Sequence, residues 1–69
     1  MKDLDMVKWL LDNLDIEYCE QQTYYPQFDK YYTNIVLFRN NSYIMICFSV
    51  DGEACAISKN GNNVIIKEV

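Results

Sequence analysis

Four short apolar runs, separated by polar turn residues, occupy the second half of the chain. The separators are the dipeptides Asn40-Asn41, Asp51-Gly52 and Asn60-Gly61. Dipeptides of this kind are typical of two-residue β-hairpin loops, so the pattern predicts a meander of antiparallel strands over residues 33 to 69. Residues 16 to 25 show a weaker strand pattern. Pro26 directly after them restricts the predicted strand to an edge of the sheet.

A helical period precedes the strands. Residues 3 to 14 repeat apolar side chains at spacings of three and four, with Asp3 as the expected N-cap. The apolar stripe consists of Leu4, Val7, Leu10, Leu11 and Leu14. Together the two patterns predict one α+β domain over residues 1 to 69, with an N-terminal helix packed on one face of a four- to five-stranded antiparallel β-meander.

Two-residue loops fix the pairing of the strands that they join. The predicted pairs are Arg39 with Ser42, Val50 with Glu53 and Lys59 with Asn62. One face of the sheet, on which the helix is expected to dock, then collects Ile35, Leu37, Ile44, Ile46, Phe48, Val50, Cys55, Ile57, Val64 and Ile66. The second face collects Val36, Phe38, Tyr43, Met45, Cys47, Ala54, Ala56 and Ile65. In this register Cys47 and Cys55 lie on opposite faces, as small buried apolar residues that cannot form a disulfide.

The second face is more apolar than a solvated sheet face, which normally alternates to polar residues. This pattern predicts that something covers the face, and there are three alternatives: the aromatic segment of residues 24 to 32, a second copy of the chain, or a different protein. The aromatic segment is favoured, because it holds five rings around Pro26 that can supply missing core. A homodimer is the second choice, with the self-association residues Phe38, Tyr43, Met45 and Cys47.

Negative charge is concentrated at the beginning of a chain whose net charge is −4. Residues 1 to 20 hold six acids and two lysines and so carry the whole excess. This distribution indicates either a solvated helix face or an acidic patch that complements a basic partner. Trp9 points away from the apolar stripe, toward Asp5 and Asp12, where a tryptophan is typical of a binding hot spot. Alternatively, the segment that follows the helix folds back and covers Trp9.

The sequence contains no catalytic or cofactor motif. It has no histidine, and both of its glycines fall in predicted turns rather than in a phosphate-binding loop. Its three cysteines include no CxxC pair and lack a fourth ligand for zinc. We therefore expect no enzyme activity, no cofactor and no metal site. Direct nucleic-acid binding is also disfavoured, because only Lys30 beside Asp29 accompanies the aromatic segment.

The expected function is non-enzymatic protein binding by a small acidic inhibitor or adaptor that occupies a basic surface of a larger macromolecule. The expected contact residues are Asp5, Trp9, Asp12 and Asp15, with the tryptophan as anchor and the carboxylates steering association. A homodimeric structural or accessory protein is the alternative, and a small-molecule or metal sensor with the aromatic segment as lid is a third. The chain shows no signal-peptide pattern and no membrane-length apolar run, so a cytoplasmic protein without membrane association is expected.

In size and in its abundance of Asn, Ile, Lys and Tyr, the chain resembles small proteins of phages and mobile elements. Inhibitors of host nucleases, such as anti-restriction and anti-CRISPR proteins, are common among these. The resemblance is an analogy of size and composition that no motif carries, and an analogy of this kind does not establish a function.

Overall fold

The computed structural model describes residues 2–66, which form one helix and one sheet. The elements are α1 (Asp3–Asn13), β1 (Cys19–Tyr25), β2 (Lys30–Arg39), β3 (Ser42–Phe48), β4 (Ala54–Lys59) and β5 (Asn62–Ile65). The five strands pair antiparallel in sequence order, with β1 and β5 at the edges. The predicted α+β fold, its meander and the edge position of the first strand are confirmed.

The core lies between α1 and one face of the sheet. Leu11 of the helix packs against Ile35 and Phe48, whose exposed fraction is 0%. Full burial of side chains of this size contributes roughly 1.5–3 kcal/mol each. Leu4 and Val7 contact the same cluster from the helix. These contacts cover only the middle of the predicted core face, because Ile44, Ile57 and Val64 on the same face remain exposed.

The helix touches the sheet along a narrower stripe than its apolar pattern predicts. Leu4, Val7 and Leu11 lie within about 60° of one another around the helix axis. Leu10 and Leu14 were expected in the same stripe, but both are exposed. A sheet meets a cylindrical helix along a line, so the leucines on the flank of the stripe remain in solvent.

The N-terminal end of α1 is attached to the turn between β3 and β4. The prediction of Asp3 as N-cap is wrong, because Lys2 holds that position, without a side-chain cap in the described chain. Asp3 Oδ2 instead accepts a hydrogen bond of 2.9 Å from the Ala54 backbone N–H. The Leu4 backbone N–H donates to the Gly52 carbonyl oxygen, also at 2.9 Å. Asp3 therefore satisfies a donor of the sheet rather than a donor of its own helix.

Two of the three predicted hairpin loops are confirmed. Asn40 and Asn41 have φ angles of 47° and 63°, and Asn60 and Gly61 have φ angles of 50° and 90°. Positive φ at both positions is what a two-residue loop of type I′ requires. The confirmed pairs are Arg39 with Ser42 and Lys59 with Asn62.

The third loop is one residue longer than predicted. The Gly52 N–H donates to the Ser49 carbonyl oxygen at 2.9 Å, and the Ser49 N–H donates to the Glu53 carbonyl oxygen at 2.8 Å. Val50, Asp51 and Gly52 therefore form a three-residue loop, in which Gly52 has a φ of 82°. Ser49 faces Glu53, so the predicted pair of Val50 with Glu53 is wrong.

A bulge in β4 restores the predicted register after this loop. Phe48 pairs with Ala54 and Cys47 pairs with Ala56, which leaves Cys55 as the extra residue. Ala54 consequently packs against the helix-side core. The Cys55 thiol donates to the Cys47 carbonyl oxygen at 3.2 Å and interacts with the Cys47 thiol. The prediction that Cys47 and Cys55 lie on opposite faces is therefore wrong, as are the faces predicted for Ala54 and Cys55.

The aromatic segment extends the sheet instead of covering it. Its residues belong to the ends of β1 and β2 and to the four-residue loop 26–29 between them. The rings of Tyr24 and Tyr31 are 4.9 Å apart, and those of Tyr25 and Tyr32 are 4.8 Å apart. Cross-strand aromatic pairs of this kind stabilise a hairpin. The expectation that this segment covers the second face is therefore wrong for the segment as a whole, and only Tyr25 is found among the residues that line a groove on that face.

Candidate functional site

Three of the four predicted contact residues lie together on the solvent side of α1. Asp5, Trp9 and Asp12 follow one another at spacings of four and three, which places them in one row along the helix. All three side chains are exposed, and the exposed fraction of Trp9 is 55%. The alternative in which the following segment covers Trp9 is therefore excluded.

An apolar strip beside Trp9 was missed by the sequence analysis. Met6 and Leu10 are both exposed and lie on the side of Trp9 that is opposite to Asp5 and Asp12. Leu10 was assigned to the core stripe because its spacing fits, and Met6 was assigned to no face. The exposed helix surface thus has an apolar side and an acidic side that meet at Trp9.

The basic residue of α1 forms its salt bridge with an acid outside this row of residues. Lys8 Nζ forms a salt bridge of 2.8 Å with Glu20 Oε1 on β1. The hydrogen bond to Glu20 is the main reason why the pKa of Lys8 lies above its ordinary value. Desolvation, followed by the charge of Asp12, raises the pKa of Tyr18. The charge of Asp5 also raises the pKa of Lys8, so Lys8 pairs directly with Glu20 and also partly offsets the negative charge of the row.

Asp15, the fourth predicted contact residue, has a structural role at the end of the helix. Its φ of 58° is in the left-handed region, which glycine usually occupies at this position. The Asp15 N–H donates to the Asp12 carbonyl oxygen at 3.3 Å, and the Ile16 N–H donates to the Leu11 carbonyl oxygen at 2.9 Å. This pairing is the Schellman motif. Asp15 is exposed beyond the last helical turn, outside the row formed by the other three, and its contact role stays a prediction.

The sheet face away from α1, here called the open face, carries a groove of about 440 Å³ that crosses all five strands. None of the groove's lining residues within the described chain is charged. The groove divides the predicted self-association residues, because Met45 and Cys47 line it and Phe38 and Tyr43 lie beyond it. The rings of Phe38 and Tyr43 are 6.5 Å apart, next to the β2–β3 loop.

Asn34 and Cys47 are the chemically informative residues of this groove. The exposed fraction of Asn34 is 5%, and its Nδ2 donates to Thr23 Oγ1 at 2.8 Å. Asn34 Oδ1 is buried and has no hydrogen-bond partner among residues 2–66. Burial, followed by the hydrogen bond with Cys55, raises the pKa of the Cys47 thiol to about 12. The thiol is therefore protonated at neutral pH and is a weak nucleophile.

Asn34 was not singled out by the sequence analysis. A lone asparagine in a strand carries no periodic signal, and its burial depends on the cross-strand neighbours that the β1–β2 register supplies. The detectable signal was its alternation with Tyr32 and Val36, which places it on the second face. Its lack of a second partner becomes visible only in three dimensions.

Within residues 2–66, no three His, Cys, Asp or Glu side chains come together as a metal site. The helical part of the same range includes no segment that is long and apolar enough to cross a membrane. No protein-family model, curated protein or solved structure matches the chain.

Proposed function

We propose that this protein acts by binding another protein, as a small acidic inhibitor or adaptor that occupies a basic surface, and that it is not an enzyme. The observation that carries the proposal is the exposure of Trp9 on a helix whose other side is packed in the core. An indole ring left in water is costly, and tryptophan is among the residues most enriched at binding hot spots.

The helix surface combines an anchor with steering charges. Trp9, together with Met6 and Leu10, would lie at the centre of the contact, where truncation of a hot-spot residue costs about 2 kcal/mol or more. Asp5 and Asp12 would lie at the rim and attract a positive partner over a distance of about 10 Å at ordinary ionic strength. Residues 1 to 20 carry the whole net charge of −4, so this attraction acts at the helix end of the molecule.

The partner's chemistry follows from this charge. Proteins that handle nucleic acids carry basic surfaces for the phosphate backbone, and an acidic protein can occupy such a surface in its place. The compositional resemblance to phage and mobile-element inhibitors favours the same class of target. In its specific form, the proposal is that the protein inhibits an enzyme that handles nucleic acids. In its broader form, the protein is an adaptor that binds a partner with a basic surface.

Affinity capture from the source cell, or from its bacterial host, tests the proposal with matched variants. Asp5→Lys/Asp12→Lys is compared with Asp51→Lys, which reverses an exposed acid in the β3–β4 loop. Trp9→Ala is compared with Phe28→Ala, because Phe28 is exposed to a similar extent at the β1–β2 loop. We expect a basic protein in stoichiometric amount with the wild type and both controls, and its loss from both helix variants.

Two results would contradict the proposal. One is recovery of the same partner in equal amount by the helix variants and the controls, since the helix surface would then make no contact. The other is the absence of any partner with the wild type. Once a partner is identified, charge reversal should lower mainly the association rate, and Trp9→Ala should raise mainly the dissociation rate.

A homodimeric structural or accessory protein is the second candidate. The observation that favours it is the uncharged groove on the open face, beyond which lie the exposed Phe38 and the half-buried Tyr43. Met45→Asp should dissociate such a dimer, because it places a charge on the shared face of both copies. A monomer at tens of micromolar in sedimentation equilibrium would remove this candidate.

A further inference from the structure

We propose that the groove on the open face binds a small, flat, uncharged ring compound that donates a hydrogen bond to Asn34. The groove lies on the side of the sheet opposite to α1, so the proposal does not depend on the partner of Trp9. It rests on the shape of the groove, the chemistry of its lining and the unpaired oxygen of Asn34.

The shape of the groove fits a small molecule better than a second copy of the chain. Its volume of about 440 Å³ falls in the range of roughly 300 to 1,000 Å³ that small-molecule sites show. The cross-strand pair of Cys47 and Ala56 is small, whereas Tyr25, Met45 and Ile65 in the same lining are larger. An identical face laid over this groove would leave both depressions unfilled, and unfilled space forfeits packing contacts.

The lining selects an uncharged, aromatic ligand. A charged ligand would lose its hydration in the groove without gaining a counter-ion, because the described lining carries no charge. Tyr25 supplies an aromatic ring, and Met45 and Cys47 supply sulfur atoms. Rings and sulfur atoms make favourable contacts with a flat aromatic ligand.

Asn34 supplies the specific hydrogen bond. Its side chain is held by the 2.8 Å bond from Nδ2 to Thr23 Oγ1, while Oδ1 has no partner in residues 2–66. Buried polar atoms are nearly always paired, and an unpaired one carries a desolvation cost. Asn34 lines the groove and the terminal torsion of its side chain is soft, so the proposal requires that binding turns the amide until Oδ1 reaches the ligand. An N–H or O–H group on the ligand would then satisfy this oxygen.

Titration with indole and with 1-methylindole, followed by two-dimensional NMR, tests the proposal. The two probes share one flat ring system, but only indole has an N–H donor. We expect indole to shift the resonances of groove residues in a saturable way and to bind about tenfold more tightly than 1-methylindole. In Asn34→Leu, which exchanges the amide for an apolar side chain of similar size, the two probes should bind equally.

Ala56→Leu is a second variant that keeps the test decisive if Asn34→Leu fails to fold. It fills the centre of the groove from the open face and leaves the helix-side core unchanged, so both probes should lose affinity. The proposal is overturned by equal affinity of the two probes for the wild type, by shifts confined to other surfaces, or by no saturable shift. Groove resonances that shift on dilution without any probe would assign the face to a second copy and also overturn it.

Discussion

The two faces of the sheet are built from the same strands but use their apolar residues differently. On the helix side, Ile35 and Phe48 are completely buried beneath Leu11. On the open face, Phe38 is 67% exposed and a buried Asn34 lines a groove. β3 does not alternate between apolar and polar residues, so its sequence marks both faces as apolar. An 11-residue helix is too short to cover even its own face completely, because Ile44, Ile57 and Val64 on that face remain exposed, and it leaves the open face without a helix.

The total accessible surface area agrees with this comparison. It is 5255 Å² for a chain of 8.2 kDa. The scaling for folded monomers gives roughly 4,500 Å² at this mass. A sheet with one uncovered face explains why the accessible area is larger than the scaling gives.

Replacement of a phenylalanine on each face should have the most unequal effects on stability. Phe48→Ala should lower the free energy of unfolding by about 3–5 kcal/mol, because it empties a completely buried site. Phe38→Ala, its matched control on the open face, should change it by about 0.5 kcal/mol or less. Urea unfolding followed by circular dichroism measures both. Similar losses for the two variants would show that the open face is also covered.

Two cysteines of the chain should differ in thiol reactivity, because one lies in the groove and the other is exposed. Cys47 lines the groove, and burial raises its pKa to about 12, whereas Cys19 on the edge strand is exposed. At pH 8 Cys47 should react with iodoacetamide at least about a hundredfold more slowly than a free thiol of ordinary pKa. Mass spectrometry of the alkylated peptides measures the rates. Alkylation of Cys47 as fast as that of Cys19 would contradict the burial of the groove floor.

The same pKa fixes the direction of a pH effect on stability. The folded-state pKa of Cys47 lies above the unfolded value near 9, so only the unfolded state releases the proton at moderately alkaline pH. The contribution of Cys47 is complete below about pH 9 and is lost as the pH rises toward 12. Cys47→Ala should therefore reduce the alkaline decline in stability, measured by urea unfolding between pH 8 and roughly 10.5.

Alanine substitutions at the two glycine turns distinguish two costs: the strain of a positive φ angle, and the contact between the β3–β4 loop and the start of α1. Gly52 and Gly61 have similar φ angles of 82° and 90°, so alanine is strained at either position by roughly 1 kcal/mol. A Cβ at Gly52 would also lie 3.3 Å from Lys2 Cδ, whereas a Cβ at Gly61 would meet no atom within 4 Å. Gly52→Ala should therefore cost about 1.5–2 kcal/mol. Equal costs in thermal unfolding would mean that the helix start does not press on this loop.

The smallest expected effect lies at the end of α1. Asp15→Gly should stabilise the protein by about 0.5–1 kcal/mol, because glycine takes the left-handed C′ position without strain. Asp12→Gly is the control, since it puts glycine inside the helix and should destabilise by roughly 1 kcal/mol. Thermal unfolding of both variants measures the difference. A loss of stability in Asp15→Gly would show that its carboxylate has a structural partner.

The turn residues explain how much of the fold was predictable from the sequence. Asn40-Asn41 and Asn60-Gly61 accept left-handed conformations at both positions, so loop length and strand register followed from them. Asp51-Gly52 is compatible with two loops, because its glycine serves a two-residue turn and a three-residue turn equally well. Hydrogen bonds to Ser49 select the longer loop, and the resulting bulge reverses the face of Cys55.

The candidate surfaces were predictable to a smaller extent. The row of Asp5, Trp9 and Asp12 follows from helical spacing alone. The exposure of Met6 and Leu10 depends on how far the sheet wraps around α1, which no local pattern encodes. The groove and the unpaired oxygen of Asn34 depend on five strands at once, so they emerge only from the assembled sheet.

Site-specific photo-crosslinking tests the central claim, that the exposed side of α1 contacts a basic protein, most directly. A photoreactive benzophenone amino acid replaces Trp9 in one protein and Phe28, the similarly exposed control, in another, and both are irradiated in the source cell or its host. The account predicts a covalent adduct with one basic protein from position 9 and no such adduct from position 28. Adducts of equal yield at both positions, or none at position 9, would contradict it.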